Sequence, residues 1–589
     1  MGRNSRSTGG IAGKREHFFH EKGSIKKKWK NRTPIALIYP NKYGLGMSNL
    51  GFQLVYSLLN KNDSIVAERI FLPESSGAKP LSIESGRPLA DFPLLFFSVS
   101  FEQDYQNLIM MLELSGIPPL TAERTEKSQA VTARAAGGQP LLIAGGVATF
   151  MNPEPLAPFV DLFIIGEAEP VFDSVINRLL PGIGRKNKDE LLAEIGTNLH
   201  GCYVPALYDV AYDSDGLVRA YTPKEDYADL PLRIKKVHLD SPGNIAGHSK
   251  ILTPLAEFSD LFMTELGRGC SRGCRFCAAG FIYRPPRLWE AETIINAIDS
   301  RPDGTSRVGL LGMEMARSED VALIADHLSN QSCFLSFSSL RADIIDSSLL
   351  KLLGSSNLKS AAIAPDGGSE RLRLVINKGI TENDVLAAAE ILVKKGIQNL
   401  KLYFMIGLPT ETQSDLDEMV GLIMKVKKKI LSVGRARGRL STLTLSINCF
   451  IPKPWTPFQF HPMEKVASLK QKLKFIRRKI AGEPNIRIKT ENPEKAFFQA
   501  VLSRGDRRVG PVLLSMILNN CSWRQAFVME NLNPDAYALR QRDATEPFPW
   551  EIIDHGIERK YLWSEYQKAL EEKTTVPCDT SRCKRCGVC

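Results

Sequence analysis

Two alternations of apolar and polar positions organise the chain. From Pro34 to about Leu180, short apolar runs alternate with stretches whose apolar residues return every three or four positions. The runs Ile35–Tyr39, Ser64–Leu72, Leu94–Ser98, Leu141–Ala144 and Asp161–Ile165 predict strands, and Leu50–Leu59 and Asp104–Leu114 predict helices. Three of these strands run into Ser or Gly: Ser98, Gly145-Gly146 and Gly166-Glu167. Short buried strands alternating with helices indicate an α/β fold with a doubly wound parallel sheet. Ligands of such sheets bind beyond the carboxyl ends of the strands. Gly145, Gly146, Gly166 and Glu167 are therefore candidate cofactor contacts on one crevice.

The second alternation runs from Glu257 to Ile480. Its strand candidates are Phe258–Leu266, Val308–Leu311, Phe334–Ser338, Leu358–Ala364, Leu400–Ile406 and Leu443–Phe450. Helices fit between them at Ala291–Asp299, Glu319–Ser329, Asp343–Leu353, Glu382–Lys395 and Thr412–Leu431. These six strand–helix units form the second folding unit. Catalytic groups of βα barrels sit at the carboxyl ends of their strands. Residues 463–480 form a basic amphipathic helix, and 495–570 are mostly helical. The expected segments are a basic disordered tail (1–32), a Rossmann-like domain (33–185), a connector (186–256), the second βα unit (257–480), a helical C-terminal region (481–577) and a Cys-rich tail (578–589).

Composition narrows the classes. A chain of 589 residues has room for two to four domains. No run of 18 apolar residues occurs, so no membrane span is expected, and no apolar stretch follows the basic N-terminus as a secretory signal requires. The net charge of +11 is mostly a tail property, since residues 1–32 carry ten Lys and Arg against two Glu. Such a tail permits contact with RNA or simply stays solvated. Seven of the eleven cysteines fall in two tight clusters. That distribution suits metal ligation in a reducing, cytoplasmic setting rather than disulfides.

The first cluster is Cys270-x3-Cys274-x2-Cys277. Three thiolates suit zinc or an iron–sulfur cluster, yet no fourth ligand is near: the next Cys is Cys333 and the next His is His327. An iron left open binds substrate or cosubstrate, which points to catalysis. The second cluster, Cys578-x4-Cys583-x2-Cys586-x2-Cys589, has four thiols and suits a closed [4Fe–4S] cluster, zinc or a redox-active tail. Arg284 and Arg287 are candidates to frame an anion, and His555 is either a proton carrier or ligand, or a structural hydrogen-bonding group.

The cysteine triplet, with Phe276 before its last member, resembles the radical S-adenosylmethionine (SAM) superfamily. The resemblance implies a partial (β/α)6 barrel over 257–480, and a [4Fe–4S] cluster on Cys270, Cys274 and Cys277 whose open iron chelates SAM. It also implies reductive cleavage to a 5′-deoxyadenosyl radical, with electrons from a flavodoxin or ferredoxin. It makes Gly312 and Glu314 a variant of the loop that contacts the SAM amino group. Ser338, Arg341 and Asp366 become further cofactor contacts at the ends of the third and fourth strands. Asp366-Gly367-Gly368-Ser369 departs from the family's usual Glu-Ala-Gly-Ser by one carbon in the acid.

The upstream domain is similar to the cobalamin-binding domain of one branch of that superfamily, through Val99–Asn107, Gly145–Phe150 with Asn152-Pro-Glu-Pro155, and Ile165–Pro170. No His occurs between His20 and His200, so that domain offers cobalt no lower imidazole. The absence of Cys from residues 1–201 excludes a methylthiotransferase, which needs three there. The segments after the barrel resemble an uncharacterised group within that branch. The function implied is cobalamin-dependent methyl transfer to an unactivated carbon. The alternatives are cobalamin-assisted rearrangement or oxidation, and an iron–sulfur electron-transfer or RNA-associated factor without turnover.

Overall fold

The computed structural model describes residues 20–126, 132, 138–312, 317–329, 331, 333–337, 339–345, 349–351, 353 and 358–589. A first sheet contains β1 (Thr33–Tyr39), β2 (Ile65–Phe71), β3 (Leu94–Ser98), β4 (Leu141–Gly145), β5 (Leu162–Ile164) and β6 (Cys202–Tyr203), in the order β2-β1-β3-β4-β5-β6. The first five strands are parallel and β6 is antiparallel to β5. Ile35–Tyr39 and all of β2 are buried, as expected of strands covered by helices on both faces. The order reverses between β1 and β3, the switch point over which doubly wound sheets bind ligands. Asn49 starts the helix Leu50–Lys61 there by accepting from the Phe52 N–H. The sheet runs past residue 185, because β6 and the helix Lys188–Asn198 belong to it rather than to a connector.

The second unit holds a three-stranded parallel sheet, β7 (Phe262–Glu265), β8 (Arg307–Leu311) and β9 (Phe334–Phe337). A four-stranded parallel sheet follows: β10 (Ser360–Asp366), β11 (Asn399–Ile406), β12 (Thr442–Cys449) and β13 (Ile486–Thr490). A parallel bridge between Leu340 and Ile363 joins the two. The sequence expectation differs in three places. Strand Phe258–Leu266 shortens to β7 because Asp260 takes a left-handed conformation (φ 49°) and Phe258 is 52% exposed, so 258–261 turn. Of helix Asp343–Leu353, the described residues show a turn at Ala342–Ile344 and helix at 349–351 and 353. The last strand, β13, lies beyond residue 480. Its half-exposed Ile-Arg-Ile-Lys-Thr pattern is that of an edge strand.

The C-terminal region packs back onto the first domain. The Asn152 side chain donates to the Ser503 and Gly505 carbonyls, and Arg507 pairs with buried Glu154 at 2.9 Å. The conspicuous segments Asn152–Pro155 and Ser503–Gly510 thus meet as an interdomain contact. Among the described residues no helix is long and apolar enough to cross a membrane.

Candidate functional site

Beyond β7 the chain passes through Gly267 and Gly269 into the cysteine loop. Gly269 has φ 87°, and a Cβ there would stand 2.7 Å from the Tyr283 carbonyl, so only glycine lets the loop close onto 283–286. The Cys277 N–H donates to the Cys274 carbonyl at 3.0 Å. Arg275, fully buried in the middle of the triplet, anchors the loop. Its N–H donates to Ile376 and its guanidinium donates to Val375, Glu565 and Lys573. Burial raises the Cys274 thiol, an effect opposed by nearby Lys378, Arg341 and Arg272, and pushes Cys277 up to about 12. Among the described residues no three His, Cys, Asp or Glu side chains stand ready-made as a metal site. The donor set nevertheless fits an iron–sulfur cluster. Cys270, Cys274 and Cys277 are close enough for their charges to act on one another. Ligation to a metal would replace the proton that burial otherwise retains.

Asp366, at the end of β10 with φ 61°, accepts from Lys378 Nζ at 2.7 Å. Burial raises the Asp366 carboxyl, and Lys378 and Arg341 oppose the shift. Arg341 donates to both Asp343 carboxylate oxygens at 3.0 Å and to the Lys378 carbonyl. The structure thus gathers Cys274, Arg341 and Asp366 and adds Lys378, which no sequence pattern marked. Gly312 (φ 91°) ends β8 beside Gly267, and Phe276 packs half-buried against the core. Glu314 and Ser338 lie outside the described residues.

A cavity of about 450 Å³ lies over the β1/β3 switch point. One wall is Leu37, Phe97, Ser98, Gly145 and Ile164, from the carboxyl ends of the first sheet; the other is Gly267, Arg268, Gly269, Ala279 and Tyr283, flanking the cysteine loop on both sides. Its size suits a sizeable ligand. Gly146 and Gly166 line it too, but for packing reasons. Both have positive φ, and a Cβ would meet Val99 O at 2.5 Å and Val237 O at 2.0 Å. Glu167 and Arg268 form a largely buried network at the wall. Arg268 donates to Glu167, Glu169 and Glu265 at 2.7, 2.7 and 2.9 Å. Arg287 donates to Glu167 at 2.6 Å, so it holds this network rather than framing a ligand anion. Burial would raise Glu167, but the two guanidiniums hold its carboxyl below the usual range.

His248 also lines the cavity, a histidine outside the segment the sequence had marked. Its Nδ1 pairs with the Ala246 carbonyl and its Nε2 with Lys250 and Ser300, so both nitrogens are engaged. Leu37, Phe97, Ile164 and Phe172, with the closely approaching backbone at Gly145 and Gly267, would hold a large cofactor such as cobalamin, and these residues fit it.

Two further candidates settle into structural roles. Arg284 donates to the Gly280 carbonyl and lies over the Phe281 ring at 4.7 Å. His555 Nε2–H donates to Phe150 O at 2.8 Å, and burial holds the ring neutral, against a proton-carrying role. The other missed group is a face of the second sheet. Along β11 and β12 Leu400, Leu402, Phe404, Leu443, Leu445 and Ile447 are buried. The alternate positions put Lys401, Tyr403, Ser446, Asn448, Arg487 and Lys489 on the opposite face by strand register. This polar, cationic surface was hidden because alternation reveals a strand without saying what its other face meets. The C-terminal cysteines lie against the cysteine loop, where the Cys578 N–H donates to Ser271 O at 2.7 Å.

Comparison with known proteins agrees with this division. Residues 51–205 match "Radical SAM proteins, N-terminal" and residues 264–423 match the radical SAM superfamily. The chain is 29% identical over 486 residues to uncharacterized protein MJ0966 of Methanocaldococcus jannaschii, covering 81% of this chain and 90% of that one. Among solved structures it resembles the cobalamin-dependent S-adenosylmethionine radical enzyme OxsB with aqua-cobalamin and S-adenosylmethionine bound (13% identity, TM-score 0.44, 92% of this chain and 79% of that one). A second OxsB structure, with aqua-cobalamin, matches at 15% identity and TM-score 0.42 over 66% of this chain, which spans about half, 52%, of that one. Coproporphyrinogen III oxidase of Escherichia coli matches at 11% identity and TM-score 0.27, over 47% of this chain and 80% of that one. Residues 51–205 are thus similar to the N-terminal domain of radical SAM proteins, and residues 264–423 to the radical SAM domain itself.

Proposed function

We propose that this chain is a cobalamin-dependent radical SAM methyltransferase acting on an unactivated carbon. The observation that carries the reading is the cavity: a single space joins the ligand-binding edge of the first sheet to the backbone on both sides of Cys270–Cys277. Cys270, Cys274 and Cys277 would hold a [4Fe–4S] cluster, which, once reduced by an external donor, would supply the electron that breaks the C5′–S bond of SAM to give methionine and a 5′-deoxyadenosyl radical. Cobalamin in the cavity would supply the methyl group.

The chain's own residues do the rest. Lys378, Arg341 and Asp366 present mixed charge beside Cys274, suited to the amino and carboxylate groups of SAM. Leu37, Phe97 and Ile164 exclude water from the cavity, which protects a reactive carbon centre from side reactions. The Arg268–Glu167–Glu169–Glu265 network fixes the cavity wall across the domain boundary. The face bearing Lys401, Tyr403 and Asn448 gives a substrate polar contacts. A flavodoxin or ferredoxin is the electron donor in this reading, in the cytoplasm, and RNA contact falls to the basic N-terminus. Residues 20–32, expected as part of a disordered tail, are instead tied to the first domain by Glu21–Arg69 and Lys27, and to Leu252 by the Lys22 bridge. The four C-terminal cysteines take a second [4Fe–4S] cluster or zinc.

The test is product analysis after anaerobic turnover with reductant and methyl-labelled SAM, on protein from cells grown with cobalamin. One cobalt per chain, 5′-deoxyadenosine and label in a product support the proposal. Deoxyadenosine without methylated product refutes methyl transfer in favour of rearrangement or oxidation; absence of cobalt refutes the cobalamin assignment.

A further inference from the structure

Twelve residues carry the four C-terminal cysteines, and they contain no helix or strand. Residues 578–589 nonetheless take a defined course. The Glu558 N–H donates to the Cys586 carbonyl at 2.8 Å, Cys586 is 1% exposed, and Gly587 (φ 87°) lies so close to Glu558 that a Cβ would meet its Cγ at 2.7 Å. Cys578 lies near enough to Cys583 and Cys589 for the side chains to act on one another, as Cys586 does on Cys589, and Arg585 Nε donates to the Cys583 sulfur at 3.1 Å. Among the described residues these thiols form no ready-made metal group, yet four soft donors in a segment too short for an apolar core are what a bound metal would draw together and order.

The same segment is tied to the first cysteine loop. Asn377 Nδ2 donates to Gly273 O at 3.2 Å and to Thr575 O at 3.1 Å, while its Oδ1 accepts from the Thr575 N–H at 2.8 Å. One side chain therefore links the loop and the tail. The Cys578 N–H to Ser271 O bond is a second link. Glu565 is a third, accepting from Arg275 inside the triplet and from Thr575 Oγ1. Arg284, just after the loop, lies near enough to Cys586 for the two side chains to interact, and it donates to the Tyr561 hydroxyl at 3.4 Å. Ser271, Gly273 and Arg275 all lie between the cluster ligands, so whatever orders the tail also orders the loop that presents Cys270, Cys274 and Cys277.

We propose that Cys578, Cys583, Cys586 and Cys589 bind one thiophilic metal centre, and that this centre is a clasp holding the Cys270–Cys277 loop in shape. The inference rests on the reading of the tail as a thiolate metal site and adds its coupling to the first. Coupling between two sites is reciprocal, so filling the tail tightens the loop's hold on its own cluster.

The experiment uses the full-length protein purified without oxygen, in three forms: parent, Cys583→Ser/Cys586→Ser, and Asn377→Leu. Iron and zinc are counted per chain, and amide exchange is followed across residues 270–277. In the double-serine protein the tail's metal is lost, as either zinc or four iron, and exchange in the loop quickens by roughly tenfold or more. In Asn377→Leu all four tail ligands remain and the tail metal is retained, yet the loop again exchanges faster. Undiminished tail metal in the double-serine protein overturns the metal-site reading itself. Loss of that metal with unchanged loop exchange leaves the site standing and overturns the clasp.

Discussion

Replacing Lys378 by methionine removes the ammonium that donates to Asp366 at 2.7 Å, in a pair whose side chains are only 10% and 14% exposed. At that separation two unit charges attract by about 6 kcal/mol for an effective dielectric of 20. Desolvation offsets part of this, yet removing one partner leaves a buried charge uncompensated, which typically costs about 3–5 kcal/mol. Taking about 3 kcal/mol as the local loss, amide exchange over residues 366–379 should quicken roughly 100-fold, since 1.4 kcal/mol is a factor of ten. Asp366→Asn/Lys378→Met removes the orphaned charge and should recover most of that protection. Exchange by mass spectrometry on the parent, both single variants and the double closes the cycle. Unchanged exchange in Lys378→Met, or a double variant no better protected than Lys378→Met, would refute the claim that this pair holds the β10 loop beside Cys274.

Asp104 accepts from Asn41, but its other oxygen is buried without a partner, and burial lifts its carboxyl from 3.8 to about 6. A raised acid binds its proton more tightly when folded, so its contribution is most favourable below pH 3.8 and is lost as pH rises through 6. The shift of about two units is worth up to about 3 kcal/mol. Asp104→Asn should therefore be more stable than the parent at pH 8 and equal to it near pH 4, read as the difference in thermal midpoints at each pH. Gly166→Ala forces a Cβ against Val237 O at positive φ. It should destabilise by about 2 kcal/mol or more and weaken cobalamin binding, measured by titration of the cofactor's absorbance.

Much of the architecture was legible because strands buried on both faces leave continuous apolar runs. Ile35–Tyr39 and Leu94–Ser98 announce themselves by composition and by the turn residues that follow. Strand β13 was not legible, since its alternating Ile486-Arg-Ile-Lys-Thr490 on a half-exposed edge reads as a loop. The cysteine loop was legible from spacing alone. Arg275 was not: a buried arginine inside the triplet finds its partners some 100 and 290 residues away, in the Val375 carbonyl and Glu565. Glu167 was marked by its place after a strand, but its two arginine partners come from the other domain. Sequence periodicity carries information about neighbours along an element; it carries none about charges that meet across a domain boundary.

The central claim is that Cys270, Cys274 and Cys277 support reductive cleavage of SAM. The direct measurement is 5′-deoxyadenosine formed from SAM by anaerobically reconstituted, reduced protein, compared with Cys274→Ala prepared identically. Deoxyadenosine from the parent and none from Cys274→Ala is the predicted result. Intact SAM with iron-loaded parent, or equal cleavage by both proteins, would contradict the account.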